Sequence, residues 1–297
     1  MATDLVKEYE TDARTRGLSP LTITSYTSDI YKFMEFIKKP MSKVDKMDIR
    51  DYIAHLRSLK LTSKTIRYNL AAVSAFFEFL IFEGKVKSNP VIEARKRYLS
   101  GYKVDGECHT HKIISVEEAT KMINSLLDIR DKTLLLLLFK TGIRRSELLS
   151  LDISDINFKD QSILLKSTKK RSNRRIFFDN ETAYYLNRWI ETRKERITPA
   201  NSALFISRSD AMVARIIRKA ALRAEVHDTT SDRMEDHFSA HCCRHWFTTH
   251  LRRAGMPREF IQELRGDVKR EAIDIYDHID PKELKESYLA YIPQLGI

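Results

Sequence analysis

The chain has 297 residues, is 42% hydrophobic, and carries 52 Lys plus Arg against 41 Asp plus Glu, a formal charge of +11. That length allows two domains with ordinary cores, and the basic balance suits a polyanionic partner, because cationic side chains displace counterions from a phosphate backbone. Three cysteines, two of them adjacent, make no disulfide framework, and no apolar run approaches the ~18 residues of a membrane span. With no basic-then-apolar leader after Met1, the expectation is a reducing cytoplasm and no membrane partner.

Ser19-Pro20 reads as an N-cap followed by Pro at the first helical position. The stripe Ile23, Tyr26, Ile30, Phe33, Ile37 then repeats at three and four residues, predicting a helix. A second helix spans about 45–58, with Ile49, Tyr52, Ile53 and Leu56 on one face. A third starts near Ser63 and stops at Gly84, and a further helix is expected before Ser19. Residues 1–95 therefore form a small, net-basic helical domain. Residues 96–112, with Gly101 and Gly106, lose periodicity and read as a linker.

A second domain, 113–297, opens on Ser115…Glu118 at capping-box spacing. Helices are predicted at 116–127, 131–141 and 146–151, the middle one holding the apolar run Leu134 to Phe139. The period then changes: 162–165 and 175–178 read as two strands joined by a basic turn. Helical patterns resume at about 180–196, 210–224, 240–254, 257–264, 270–276 and 281–291. The expected class is mainly α with a small antiparallel β-sheet.

Several residues in this second domain suit phosphoryl transfer. Arg144 follows Gly142 at a helix junction, where its fork can meet two phosphate oxygens. Lys166, Lys169, Lys170, Arg171, Arg174 and Arg175 crowd the hairpin, a placement that invites an anion; a lysine there can protonate a leaving alkoxide. His241 and Arg244 are three apart on one helical face, while each alone also fits a core role. Nothing local marks Tyr276 among twelve tyrosines. Cys108, His109 and His111, and His241, Cys242, Cys243 and His245, lack the paired spacing of zinc sites, and no phosphate-binding glycine loop occurs. Neither metal nor another cofactor is expected.

The order Thr141-Gly142-Ile143-Arg144-Arg145-Ser146-Glu147-Leu148, basic hairpin, His241-Cys242-Cys243-Arg244-His245, Asp267, Tyr276 resembles the tyrosine recombinases, the phage-integrase and Xer-type family, over nearly the whole chain. The resemblance implies a helical core-binding domain, a linker and a catalytic domain. It implies a site-specific recombinase that works without metal or ATP through a 3′-phosphotyrosyl intermediate, with Tyr276 as nucleophile. Arg144 and Arg244 would clamp the phosphate and His241 would assist proton movement. Lys166, Lys169 and Lys170 are candidates for the general acid, Lys169 falling nearest the expected turn. Lys166, Lys170, Arg171, Arg174 and Arg175 are the candidate DNA contacts. Asp267 stands where the family has His or Trp, and is expected to pair with Arg244 or Arg265 and position the site. The implied partner is double-stranded DNA, bound by a homo-tetramer on two sites and by a chain monomeric when free. The helix after Tyr276, with Leu284, Tyr288 and Ile292, would dock on a neighbouring subunit. The competing readings are a type IB topoisomerase-like enzyme, a degenerate family member that grips DNA without cutting, and a metal-dependent nuclease, which lacks a clustered set of acidic ligands.

Overall fold

The helix predicted from Ser19-Pro20 is present as α2 (Pro20–Ile37), with the Thr22 amide donating to Ser19 Oγ at 3.1 Å. In the computed structural model, residues 2–99, 113–166, 173–196, 201–205, 209–231, 236–267 and 279–297 are described. They belong to two units, Met1–Cys108 and His109–Ile297.

In the first unit, α1 (Ala2–Thr15), α2, α3 (Lys46–Ser58) and α4 (Ser63–Phe82) share one aromatic core. Caps set the boundaries: Asp45 accepts the Met47 and Asp48 amides, and Thr62 accepts that of Thr65. Phe33, Tyr52, Phe76 and Phe77 are almost fully buried. Phe33 meets Tyr52 edge to face at 5.1 Å, a geometry that adds to area burial. The Tyr52 hydroxyl donates to Asn69 Oδ1 at 3.0 Å, so its polar tip is satisfied. Helix α4 is long and apolar enough to cross a membrane by length and composition, but half of its most apolar window is buried inside the protein.

A fifth helix, α5 (Pro90–Tyr98), runs across the boundary expected at residue 95. Asn89 caps it and Pro90 opens it, Val91 and Ala94 are buried, and Arg57 and Arg67 donate to the carbonyls of Tyr98 and Leu99 at its end. Only one turn of its surface is apolar, and the run Arg95-Lys96-Arg97 hides the period. The linker residues 100–112 lie outside the described residues.

The second unit is built on α7 (Ile129–Thr141), whose residues Leu134 to Phe139 are fully buried. Helices α6 (Val116–Asn124), α9 (Asn180–Arg196), α10 (Asp210–Arg223) and α11 (Ala240–Ala254) pack around it. A short helix, α8 (Arg145–Leu149), follows α7. The sheet has order β1-β2-β3, from β1 (Ile156–Asn157), β2 (Ser162–Leu165) and β3 (Arg174–Phe177), all antiparallel. The register pairs Ile163 with Ile176 and Leu165 with Arg174, so β3 begins one residue earlier than the pattern suggested. The two-residue β1 is too short to leave a period in the sequence. Helix α12 (Arg258–Arg265) and a C-terminal helix (Pro281–Tyr291) complete the unit; the helix expected at 270–276 lies outside the described residues.

Candidate active site

Helix α7 ends at Gly142, with φ +59°, and the Gly142 amide bonds back to Leu138 O at 3.2 Å. A Cβ on Gly142 would lie 2.4 Å from Phe247 Cδ1 of α11. The position therefore needs both a left-handed backbone and no side chain. The turn buries Ile143 and delivers Arg144 to the start of α8, where its amide donates to Glu147 Oε2 at 2.7 Å.

Arg244 projects from α11, whose apolar face is formed by Cys243, Trp246, Phe247 and Leu251. Its residue exposure is only 5%. Nη1 donates to Gly142 O at 2.5 Å, and Nη2 donates to Arg265 O at 2.8 Å and Asp267 Oδ1 at 3.1 Å. Arg144 arrives from another element onto the same acceptors: Nη1 donates to Arg265 O at 3.0 Å, and Nη2 lies 3.5 Å from Asp267 Oδ1. Arg265 is the last residue of α12, and its carbonyl is among those a helix leaves unpaired at its negative end. Gly266, at φ +58°, turns the chain there; a Cβ would sit 2.7 Å from Arg174 Nε. The turn places Asp267 between the cations, with Oδ2 3.1 Å from Arg265 Nε, close enough for charge attraction though not aligned as a hydrogen bond.

A second pair supports the first. Arg174 Nη1 and Nη2 donate to Glu147 Oε1 and Oε2, both at 2.9 Å, while its Nε donates to Leu264 O at 3.1 Å. This fork fixes Glu147, which in turn holds the Arg144 amide and lies 3.3 Å from Arg144 Nη1. Burial pushes the Glu147 carboxyl up, but Arg174, the Arg144 amide and the nearby charges outweigh it, and the net displacement is downward. Burial, with Arg144 and Arg265 adding repulsion, lowers the Arg244 pKa to about 9, so it remains cationic at neutral pH.

The structure thus brings together Arg144, Arg244 and Asp267. Asp267 meets Arg244 and Arg265, the partners expected for it, and Arg144 as well. His241 is exposed in the first turn of α11, with its ring centroid 4.5 Å from that of His245. Arg174, expected to contact DNA, is instead turned inward with its side chain 8% exposed, because Glu147 and the end of α12 occupy all its nitrogens. Lys166 is ion-paired to Asp152 and, at 3.4 Å, to Asp155; the Asp152 contact raises its pKa. Arg175 is exposed on β3. Lys169, Lys170, Arg171 and Tyr276 lie outside the described residues. Cys242 and Cys243 are buried, and burial lifts the Cys243 thiol well above its usual pKa. Among the described residues, no group of three or more His, Cys, Asp or Glu is placed to hold a metal. Sequence reasoning missed Glu147 and the Arg265 carbonyl. Glu147 left a signal, a carboxylate three residues after Arg144, which caps the start of α8, but a carbonyl leaves none.

Residues 111–283 match the model of the phage integrase family, and residues 6–84 match that of the phage integrase N-terminal SAM-like domain. The chain belongs to the phage integrase family. As a phage integrase family member it is a site-specific DNA recombinase of the tyrosine class. Similar relatives include the tyrosine recombinase XerD of Oceanobacillus iheyensis, 27% identical with 94% of each chain covered. The tyrosine recombinase XerC of Thermodesulfovibrio yellowstonii is 29% identical over 92% of this chain and 90% of its own. The family fold recurs in the site-specific recombinase XerH bound to palindromic difH substrate, with TM-score 0.70 and 19% identity over 97% of this chain and 84% of that one.

Proposed function

We propose that this recombinase cuts and rejoins double-stranded DNA at a site formed by Arg144, Lys169, His241, Arg244, Asp267 and Tyr276. The observation that carries the reading is the convergence of the Arg144 and Arg244 guanidiniums on one carboxylate oxygen and one carbonyl. Two preorganised cations from separate helices, aimed at one point, suit a phosphate whose charge grows during reaction. The Tyr276 phenol oxygen attacks phosphorus and the bond to the 5′ oxygen breaks. Lys169 gives that oxygen its proton, and His241 assists proton movement at the tyrosine or the phosphate. The phosphotyrosyl ester conserves the bond energy, so religation needs no ATP. Lys170, Arg171 and Arg175 contact the DNA backbone, joined by Lys166 once it leaves Asp152. Arg174 is assigned to holding Glu147. The working assembly is a homo-tetramer on two DNA sites, assembled in the cytoplasm.

The test is a nicked suicide substrate carrying the native site, scored for a covalent adduct. Tyr276→Phe should form none while DNA affinity stays nearly intact. An adduct surviving that change would move the nucleophile elsewhere. Tyr288 is a poor substitute, because it is fully buried and donates to Lys140 O at 3.0 Å. A 5′-thiol leaving group should restore cleavage to Lys169→Ala, since a thiolate leaves unprotonated; rescue of Lys166→Ala or Lys170→Ala instead would reassign the acid. One observation favours a second reading, DNA binding without cutting: Asp267 already occupies the point the two arginines share. Absence of any adduct in the unaltered chain would select it.

A further inference from the structure

Helix α10 ends in a tight cap. The Glu225 and Val226 amides return to Leu222 O and Ala221 O, with Glu225 left-handed at φ +62° and Val226 buried. That cap sets His227, half-buried, against residues 236–238 just ahead of α11. The Phe238 backbone amide donates to His227 Nδ1 at 2.9 Å. Phe238 is also anchored by its side chain, which is buried in the core around α7 with its ring centroid 6.1 Å from that of Phe139. The next residue, Ser239, is the N-cap of α11. The Cys242 thiol, in the first turn, ties the same segment down: it donates to His237 O at 3.7 Å and accepts the Ser239 amide at 3.3 Å. His227 therefore holds, from outside the helix, the residue that precedes its cap. His237 stacks on His227 with ring centroids 5.2 Å apart, and its Nε2 lies 2.8 Å from Ser231 O.

An N–H can donate to Nδ1 only while that nitrogen is unprotonated, so the Phe238 contact fixes His227 as the neutral tautomer with its proton on Nε2. His237 is different, because a carbonyl accepts only from a protonated nitrogen and that contact survives ionisation. We infer that His227 positions the start of α11, and with it His241, through the hydrogen bond it accepts from the Phe238 amide. The inference rests on the reading of His241 as a participant in proton movement at the reacting phosphate. His227 touches no reacting atom; it is a positioning residue. A proton on Nδ1 would turn the contact into two opposed donors and leave a buried amide without its acceptor. Among the described residues, the charged or titratable neighbours of His227 are His237, Arg218 of α10 and Asp228, whose carboxylate is engaged by the Thr230 amide and hydroxyl. Burial, followed by repulsion from His237 and Arg218, holds the His227 ring below its ordinary 6.5. The contribution of the contact is therefore complete above 6.5 and is lost as pH falls through the lowered folded value. Arg244 is held separately by the Gly142 and Arg265 carbonyls, so loss of the contact frees the first turn of α11 before it frees the clamp.

The experiment compares the full chain with His227→Asn and His227→Ala between about pH 5.5 and pH 8, the range in which a histidine changes charge. Asparagine can set its Oδ1 where Nδ1 stands, so it accepts the amide but does not ionise; alanine leaves the amide unpaired. Each chain is measured for the rate of covalent capture by the suicide substrate, for DNA affinity, and for amide hydrogen exchange across residues 238–244 without DNA. Near neutral pH, His227→Ala should capture about tenfold more slowly, with affinity held within about threefold and faster exchange at 238–244. His227→Asn should match the unaltered chain there and outpace it as pH falls, by about threefold or more at the acid end. A ratio of those two rates that stays flat across the pH range would overturn the inference. So would His227→Asn as slow as His227→Ala near neutral pH, or a parallel loss of affinity, rate and melting temperature in His227→Ala. Faster exchange at 238–244 in His227→Ala, corrected in His227→Asn, would support the positioning role even if the unaltered chain yields no adduct, a result that would remove the cleavage reading beneath it.

Discussion

Lys140, in the last turn of α7, and Arg244, which reaches from α11 to the Gly142 carbonyl at the end of α7, are both buried cations, yet their surroundings differ in kind. Lys140 faces two carboxylates and a carbonyl, and every proton it has is used. Around Arg244 stand Arg144, Arg174 and Arg265 as well, four guanidiniums against the carboxylates of Glu147 and Asp267. The first cluster is closed and satisfied, as a structural ion pair must be to offset desolvation. The second holds an excess of positive charge; burial first, and then repulsion from Arg144 and Arg265, lowers the Arg244 pKa to about 9. Concentrating like charges is unfavourable in a free protein, and an arriving phosphate would relieve it. Excess charge thus distinguishes the cluster proposed to receive a phosphate from a charge network that is already satisfied within the chain.

The sharpest way to break this contrast is to remove a clamp arginine. Arg244→Ala and Arg144→Ala should each slow covalent capture by about a hundredfold or more, some 3 kcal/mol, while DNA affinity changes far less. Capture within about twofold of the unaltered rate would remove that residue from the reacting phosphate.

Stability comes next. Glu147→Gln leaves Arg174 buried without its anion and should cost about 3 kcal/mol, read as a lower denaturation midpoint. The Glu147 and Glu181 carboxyls are both held below their ordinary value of 4.5 in the folded chain. Their contribution is therefore complete above that pH and is lost as pH falls through the lowered folded values. Thermal melts from pH 7 downward should show this acid destabilisation, with a shallower slope in Glu147→Gln. An identical slope would separate Glu147 from the acid transition.

The smallest expected effect lies at Asp267. Asp267→Asn keeps an acceptor for Arg244 and should retain measurable capture, whereas Asp267→Ala should lose more. If Asp267 were instead a base toward Tyr276, both variants would be equally poor and rising pH would rescue them. Parallel pH–rate profiles distinguish the two, and an unchanged rate in Asp267→Ala would leave it a residue of the helix end.

Long periodic segments were legible in advance. The stripe from Ile23 to Ile37 and the Leu134 to Phe139 run declare helices by spacing and apolarity. Short elements were not. Helix α5 buries one narrow face behind a basic run, and β1 has two residues. In the site, the arginines, Asp267 and the expected Asp267 pairing came from residue order and resemblance. The inward turn of Arg174 did not, because in the sequence it is one cation among many.

What the amino-acid order determined by itself was the kind of chemistry available: helices from periodicity and caps, a left-handed turn at Gly142, and cations in a family order. Those follow from local sterics and from charge that each residue carries anywhere. Which acceptors each cation meets inside the chain was decided only by tertiary structure. Glu147 lies 27 residues from Arg174, and Pro293 lies 153 from Lys140. Burial then strengthens each of those contacts, because charge in a low-dielectric interior must find a partner.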